Sequence, residues 1–377
     1  MGEFTPEELA RYRRQITLAG FGMDGQRRLR DAHVAVLGAG GLGSPALIYL
    51  ATAGVGEVTV IDDDTVETSN LHRQVIHTDD AVGESKATSA RREILARNPS
   101  VTVHTVTDRL TAGNAVDLLG QADIVLDGTD NLAARYACSH GCAVLGIPHV
   151  WASILGFDAQ LSVFGATWAD GTPGPIYEDV FPVPPPSGSV PSCSAAGVLG
   201  PVVGVVGTAM ALEAVKVLAG IGEPLIGSLG YFDGLSGRWE YIPVTADPSV
   251  AARVQDAPTP IAEDFAVEPS DEGPSDVNEI IPDLASAVLV DVREPDEFST
   301  VHIPGAVNVP LSVLKNGVPE SVTALAGDAA DPGDTESSLV VYCAAGVRSA
   351  QAVEILEASG INAVSYPGGI NAWLDAQ

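Results

Sequence analysis

A chain of 377 residues with 46% hydrophobic content can build two or three domains with well-buried cores, which excludes an intrinsically disordered protein. Its 19 Lys and Arg against 49 Asp and Glu leave a formal charge of −30, which excludes general nucleic-acid binding because phosphates must be met by clustered cations. The four cysteines, Cys138, Cys142, Cys193 and Cys343, include no CxxC pair, so they spell neither a disulfide framework nor a four-thiolate zinc site.

No basic and apolar signal precedes Arg11, and apolar runs such as Val198 to Met210 are too short and glycine-rich for a membrane span. A cytoplasmic protein without a membrane partner is expected. In chain order, strands are predicted at Ala32 to Leu37, Glu57 to Ile61, Thr102 to Val106, Ile124 to Asp127 and His149 to Ala152, then an antiparallel one at Ala159 to Phe164. Helices are predicted at Ser44 to Ala53, Lys86 to Arg97, Leu132 to Leu145 and Gly204 to Leu218. This alternation is that of an α/β protein with a Rossmann-like, mostly parallel sheet covered by helices on both faces, over residues 1–245. The run PVPPPSGSVPSC, Pro182 to Cys193, lacks the N–H donors of a helix or central strand and reads as a long exposed crossing loop.

From Ala246 to about Asp276, Pro, Asp, Glu and Ala dominate without apolar periodicity, the composition of a flexible linker over 246–276. Beyond it, Ala287 to Val292, Ala306 to Val309 and Leu339 to Tyr342 read as short parallel strands, with a helix at Ser349 to Ser359. Residues 277–377 are thus expected to be a small second α/β domain. From Ala246 onward four basic residues face 22 acidic ones, so an anion site belongs in the first domain.

The first predicted strand ends in GAGGLG, which sets Gly38, Gly40 and Gly43 in GxGxxG spacing: a tight turn, close phosphate approach and close helix packing. Asp62 ends the next strand, about 20 residues on, where a carboxylate can accept both ribose hydroxyls of either NAD or ATP. Downstream stand TSNLHRQ (Thr68 to Gln74), GESKA (Gly83 to Ala87) and DGTDN (Asp127 to Asn131), none of which a dehydrogenase needs. Arg73 and Lys86 can neutralise the phosphates of ATP, Asp130 can hold Mg²⁺ at a strand end while capping the helix that follows, and Gly41 can offer backbone contact. Asn70 reads equally as a phosphate ligand and as a loop-forming residue. His72, His77, His140 and His149 share no metal spacing and receive no role.

With RYRRQ (Arg11 to Gln15), GAGGLG, SNLHRQ, GESKA, DGTDN and VPSC in this order, the first 245 residues resemble the ubiquitin-activating-like superfamily, in particular the MoeB/ThiF adenylyltransferases of small ubiquitin-fold sulfur carriers. The resemblance implies that Asp62 binds ribose, that Asn70, Arg73, Gln74 and Lys86 bind phosphates, that Asp130 positions Mg²⁺, and that Arg14 enters the neighbouring subunit's site in a homodimer. The chain departs from the family at the zinc site that many relatives build from two CxxC pairs: Ile176 and Asp179 stand where the first pair would be, and YIPVTADPS lacks the second. No structural zinc is therefore expected. Cys193 matches a cysteine that some relatives use to attack the activated carrier; a small unreactive thiol is the other reading.

Near the C-terminus, VVYCAAGVRSAQAV places Cys343 at a strand end, followed by the loop Cys343, Ala344, Ala345, Gly346, Val347, Arg348 and a helix. Such a loop aims several backbone N–H groups at the sulfur, and the helix start adds positive potential, favouring a thiolate or persulfide. With LVDVREPDEF, HIPGAVNVP and GGINAW, this region resembles a single rhodanese domain, which implies that Cys343 carries sulfur and that Arg348 holds the loop or an anionic donor. Asp291 and Arg293 read as structural hydrogen-bonding residues.

The pairing resembles MoeZ-type fusions and implies adenylation of a carrier ending in Gly-Gly, then sulfur transfer to give a thiocarboxylate. The sulfur would come from thiosulfate or from a cysteine desulfurase persulfide. Molybdenum cofactor biosynthesis, thiamine, cysteine, tRNA thiolation and specialised metabolites all remain open as the carrier's pathway. Two other classes compete: an activating enzyme for protein conjugation through a Cys193 thioester, and a scaffold with a nicotinamide in the glycine turn.

Overall fold

The computed structural model describes residues 3–165, 167–168, 171–185, 197–257, 259–260, 287–328, 339–344 and 346–375. The described residues up to 260 belong to one compact unit and those from 287 to another.

The first unit is built on an eight-stranded sheet in the order β3-β2-β1-β4-β5-β6-β7-β8. β1 (His33–Leu37), β2 (Glu57–Ile61), β3 (Thr102–Val106), β4 (Ile124–Asp127) and β5 (His149–Leu155) run parallel, and β6 (Asp158–Phe164), β7 (Ser228–Asp233) and β8 (Arg238–Pro243) continue the sheet antiparallel. The central strands read as continuous apolar runs because both faces are covered. Along β1, Val34 and Val36 face a core shared with the helices Gly43–Ala53, Lys86–Arg97 and Gly200–Ala219, whereas Ala35 and Leu37 face the helices Ala115–Leu119 and Leu132–Leu145. The chain order reverses between β1 and β4, and the crevice beyond their C-terminal ends is where open α/β sheets bind ligands.

Three elements differ from the sequence expectations. The apolar run at Val198 extends into the 20-residue helix Gly200–Ala219, long and apolar enough by length and composition to cross a membrane, so the judgement that it is too short is corrected. Half of it is buried, and Val202, Val203, Val206, Met210, Ala211 and Ala214 belong to the core beside the sheet. The helices Pro6–Ile16 and Gly22–Asp31 and the hairpin of β7 and β8 add structure that apolar runs did not reveal. Finally, the stretch assigned to the linker begins with a helix, Pro248–Asp256, capped by Asp247. Ala251 and Val254 pack with Ala143 and Ile176, so the first unit continues past residue 245. Residues 261–276 of the expected linker, like residues 186–196 of the crossing loop, lie outside the described residues.

The second unit carries a four-stranded sheet, β10-β9-β11-β12, of β9 (Leu289–Asp291), β10 (Val307–Asn308), β11 (Leu339–Tyr342) and β12 (Ala363–Ser365), all parallel. The helix after β11 begins at Val347, two residues earlier than predicted.

Candidate active sites

The glycine turn follows β1 directly. Gly38 adopts φ +86°, a conformation that a side chain would strain, and its N–H donates to Ile61 O at 2.8 Å. A Cβ on Gly43 would lie 1.8 Å from Gly38 O, so the start of the following helix can approach the turn only as glycine. Gly43→Ala is expected to destabilise the first unit by about 2–3 kcal/mol through overpacking, read from the midpoint of denaturant unfolding at unchanged slope.

Residues far apart in sequence converge on this turn. Asp62 Oδ2 accepts Ala39 N–H at 2.6 Å and Oδ1 accepts Asp64 N–H at 2.9 Å. Burial pushes the Asp62 carboxyl up, against the pull of those N–H donors and of Lys86. The stem of Arg73 runs beside Gly41, with Cγ 3.6 Å from where a Cβ would stand, and its guanidinium donates to Ser69 O at 3.1 Å. Gln74 reaches to 3.8 Å of the same position on Gly40. Its Nε2 donates to Asn70 Oδ1 at 2.8 Å, while its buried Oε1 has no hydrogen-bond partner. Asn70 is also buried and donates to Glu67 and Ser69, so its side chain shapes the loop and orients Gln74. On the opposite wall a Cβ on Gly128 would stand 3.2 Å from Gly43 N, which brings the DGTDN loop against the glycine turn. Asp130, exposed, follows two residues later.

Lys86 is buried at 5% exposure, and its ammonium is held by Asp64, a residue without an assigned role in the sequence reading. Although burial opposes it, Lys86 holds the Asp64 carboxyl below the usual carboxylate range. Helix capping falls to Asn131 instead of Asp130: Asn131 Oδ1 accepts Ala134 N–H at 3.0 Å. This corrects the expectation of a shared role and leaves Asp130 without a capping duty.

Two histidines left unassigned have structural work here. His77 is buried between Ser89 Oγ at 2.9 Å and Ala39 O at 3.0 Å, and so fixes a carbonyl of the glycine turn. His149, Asp127 and Cys138, all buried, bring one donor atom each within 4.8 Å of one another. Burial disfavours charge on both His149 and Asp127, but their mutual attraction across 3.5 Å wins, holding the Asp127 carboxyl low and His149 high. Asp127 Oδ1 also accepts the N–H and O–H of Thr129, at 3.0 and 2.7 Å, which ties the pair to the loop carrying Asp130. An aspartate, a thiol and an imidazole are a donor set able to hold a divalent ion, so the chain's cysteine spacing excludes only the four-thiolate kind of site. No spacing rule could have found this group, since β4, a helix and β5 contribute one residue each.

Arg14 does not join these residues within the chain. It is exposed on the last turn of the helix Pro6–Ile16. Its neighbour Gln15 donates to Ala53 O at 2.9 Å, at the far end of the helix that starts at Gly43. That helix of 11 residues is about 16 Å long. Cys193 lies outside the described residues.

In the second unit, Cys343 ends β11 at 2% exposure. Gly346, at φ +102°, turns the loop so that its N–H donates to Cys343 Sγ at 3.1 Å, and the Ser349 hydroxyl lies 3.6 Å from the sulfur. One backbone N–H therefore faces the sulfur among the described residues, where several were expected, and Ser349 supplements it. Ala345 and the side chain of Val347 are outside the described residues, and Ala344 is buried. Arg348 forms a bidentate pair with Glu297, at 2.7 and 2.7 Å. Asp291 and Arg293 pair in the same way beneath the loop, as a structural link that extends to Val301 O.

Comparison with known proteins accounts for both sites. The ThiF family matches residues 12–252 and the rhodanese-like domain matches residues 274–376. The chain belongs to the ThiF family, with a C-terminal rhodanese-like domain. It is 42% identical over 375 residues to a probable adenylyltransferase/sulfurtransferase MoeZ of Mycobacterium tuberculosis, covering 97% of this chain and 93% of that protein. It is 36% identical to an adenylyltransferase and sulfurtransferase MOCS3 of Arabidopsis thaliana, covering 98% and 84%. A sulfur carrier protein adenylyltransferase of Thermus thermophilus is 48% identical over 245 residues, 65% of this chain and 90% of that protein. Among solved structures, E. coli MccB shares the fold with a TM-score of 0.54 at 23% identity, covering 60% of this chain and 68% of that one. Within the ThiF family the glycine turn, Arg73, Gln74, Lys86 and the DGTDN loop form one crevice here.

Proposed function

We propose that this enzyme adenylates the C-terminal carboxylate of a small ubiquitin-fold sulfur-carrier protein ending in Gly-Gly and then converts it to a thiocarboxylate with sulfur carried on Cys343. The observation that carries this reading is the pair of sites in one chain: a glycine-turn crevice with Arg73, Lys86 and Asp130, and a loop that cradles a cysteine sulfur. The MoeZ and MOCS3 relatives, named for both activities, support it.

The carrier's carboxylate is a poor electrophile. Its oxygen attacks the α-phosphorus of ATP, the bond to the bridging oxygen breaks, and pyrophosphate leaves. Backbone N–H groups of the glycine turn and the cations Arg73 and Lys86 meet the charge on the phosphates, with Gln74 Oε1 buried beside Gly40 and unpartnered. Asp64 keeps Lys86 charged and aimed while it is buried. Asp130, exposed at the rim and free of helix capping, would hold Mg²⁺, which supplies charge neutralisation on the phosphates. No structural zinc belongs to this reading.

The acyl-adenylate is then open to a sulfur nucleophile. The outer sulfur of a Cys343 persulfide attacks the acyl carbon and AMP leaves, giving an acyl disulfide; a second thiol reduces it and frees the thiocarboxylate. Cys193 is the chain's own candidate for that thiol. The test is the intact mass of a Gly-Gly carrier incubated with ATP, Mg²⁺ and a sulfur donor. Replacement of one oxygen by sulfur supports the reading, and a carrier joined to other proteins through Cys193 would overturn it.

The reading includes a homodimer in which Arg14 serves the partner's nucleotide. Its support is the placement of Arg14 beside Ala53, a helix length away from the glycine turn of its own chain. Mixing Arg14→Ala chains with Asp130→Ala chains is expected to restore part of the ATP–pyrophosphate exchange, because a mixed dimer holds one intact composite site. No recovery after demonstrated subunit exchange would make Arg14 a residue of its own chain's structure.

A further inference from the structure

We propose that Glu297 restricts sulfur loading at Cys343 to organic persulfide donors, R–S–S⁻, and excludes free thiosulfate, by pairing with the one guanidinium of the sulfur loop. The proposal rests on the reading of Cys343 as a sulfur carrier. Arg348 is the only cation in the loop sequence, and both of its terminal nitrogens bind Glu297, so the pair presents no net positive charge. Each partner strengthens the other's charge: the hydrogen bond with Arg348 holds the Glu297 carboxyl below the usual carboxylate range. The carboxylate therefore stays ionised through neutral pH.

Other sources of positive potential are scarce. After residue 276 the only remaining cations are Arg293 and Lys315. Arg293 is buried against Asp291, and Lys315 is an exposed ammonium at the end of a short helix, where salt screens it. The Gly346 N–H and Ser349 hydroxyl near Cys343 face its sulfur instead of an incoming anion. Ala344 adds no polar side chain, and Ala345 carries none by sequence.

The two donors differ in the charge this loop must accommodate. From thiosulfate, the Cys343 thiolate attacks the outer sulfur, the sulfur–sulfur bond breaks, and sulfite departs with both bonding electrons. A dianion enters and a dianion leaves. From R–S–S⁻ the same attack on the outer sulfur breaks the same kind of bond and expels R–S⁻. A single negative charge enters and leaves, and Cys343 again ends as a persulfide with no net oxidation. A dianion needs a cation that this loop has already neutralised; a monoanion is served by the N–H cradle and the helix start.

Glu297→Gln tests this in the full-length chain. Glutamine keeps the acceptor that Glu297 Oε2 offers to Glu294 N–H at 3.1 Å, so the start of that helix is preserved. The rate at which the Cys343 peptide gains one sulfur atom is followed by mass spectrometry, with thiosulfate and with cysteine persulfide. Glu297→Gln is expected to raise kcat/KM for thiosulfate by roughly tenfold, the scale of one released charge-assisted contact, and to change that for cysteine persulfide by less than about twofold. In the wild type, thiosulfate loading should speed up with added salt, as screening relieves like-charge repulsion, and persulfide loading should not. This arm needs no variant. A thiosulfate rate that is unchanged or lower in Glu297→Gln, or that falls with salt in the wild type, overturns the proposal. If neither donor loads wild-type Cys343, the sulfur-carrier reading itself fails.

Discussion

Asp130→Ala is expected to abolish ATP–pyrophosphate exchange, lowering it by roughly a hundredfold or more, the scale of losing one preorganised electrostatic contact to developing charge. Sulfur loading at Cys343 in the same protein should stay unchanged. The expectation follows from position. Asp130 stands exposed just beyond the point where Gly128 meets the glycine turn, and Asn131 performs the helix capping that would otherwise explain a carboxylate there. The loop is independently fixed by Asp127, whose carboxylate accepts two bonds from Thr129, and by Arg135, which donates to Thr129 O at 2.7 and 3.1 Å. Removing the Asp130 side chain thus takes away a charge without taking away the scaffold. Exchange at the wild-type rate would remove Asp130 from the mechanism, and loss of both activities together would point to unfolding instead.

Cys343→Ala is expected to have the reverse profile. Adenylation of the carrier should continue, while thiocarboxylate formation from a persulfide donor should fall below detection, since no other residue of the second unit is a thiol. The substitution is mild for the fold: the side chain shrinks by one sulfur at a buried strand end, and the loop keeps the bond from Ile370 N–H to the backbone carbonyl of residue 343 at 2.8 Å. Free sulfide supplied in excess should restore product, because the adenylate is electrophilic towards any sulfur nucleophile. Rescue by sulfide assigns Cys343 to delivery of sulfur; wild-type product from the persulfide donor without Cys343 would end that assignment. The two variants together form a division of labour that a structural role for either residue would not reproduce.

Much of the architecture was legible in the amino-acid order because local physics controls it. Strands buried on both faces must be apolar throughout, and β2, β3, β4 and β11 occupy the residues predicted for them. Glycine at 38 and 43 reports positive φ and close backbone approach, constraints that no other residue meets, and so the nucleotide crevice could be located from spacing alone. The strand-end cysteine and its glycine-bearing loop were readable for the same reason. Where local signals were weak, the reading fell short. The helix Pro248–Asp256 has two buried apolar residues in an acidic, proline-bearing stretch, and only its docking on Ala143 and Ile176 accounts for its order.

Pairings between distant residues were decided by the tertiary structure. Asp64 holds Lys86 from 22 positions away, Glu297 holds Arg348 from 51, and Asp127 meets His149 across neighbouring strands. Many carboxylates in so acidic a chain could have served, and sequence carries no term for which of them the packed backbone brings within a few ångström of a given cation. Register and helix docking make that choice, because ion pairs and hydrogen bonds act over short distances while the chain segments that bear them are placed by burial of apolar surface. The order of residues thus determined the kinds of chemistry present and where along the chain they lie; the packing of the sheet and helices decided which charges are free to meet a substrate.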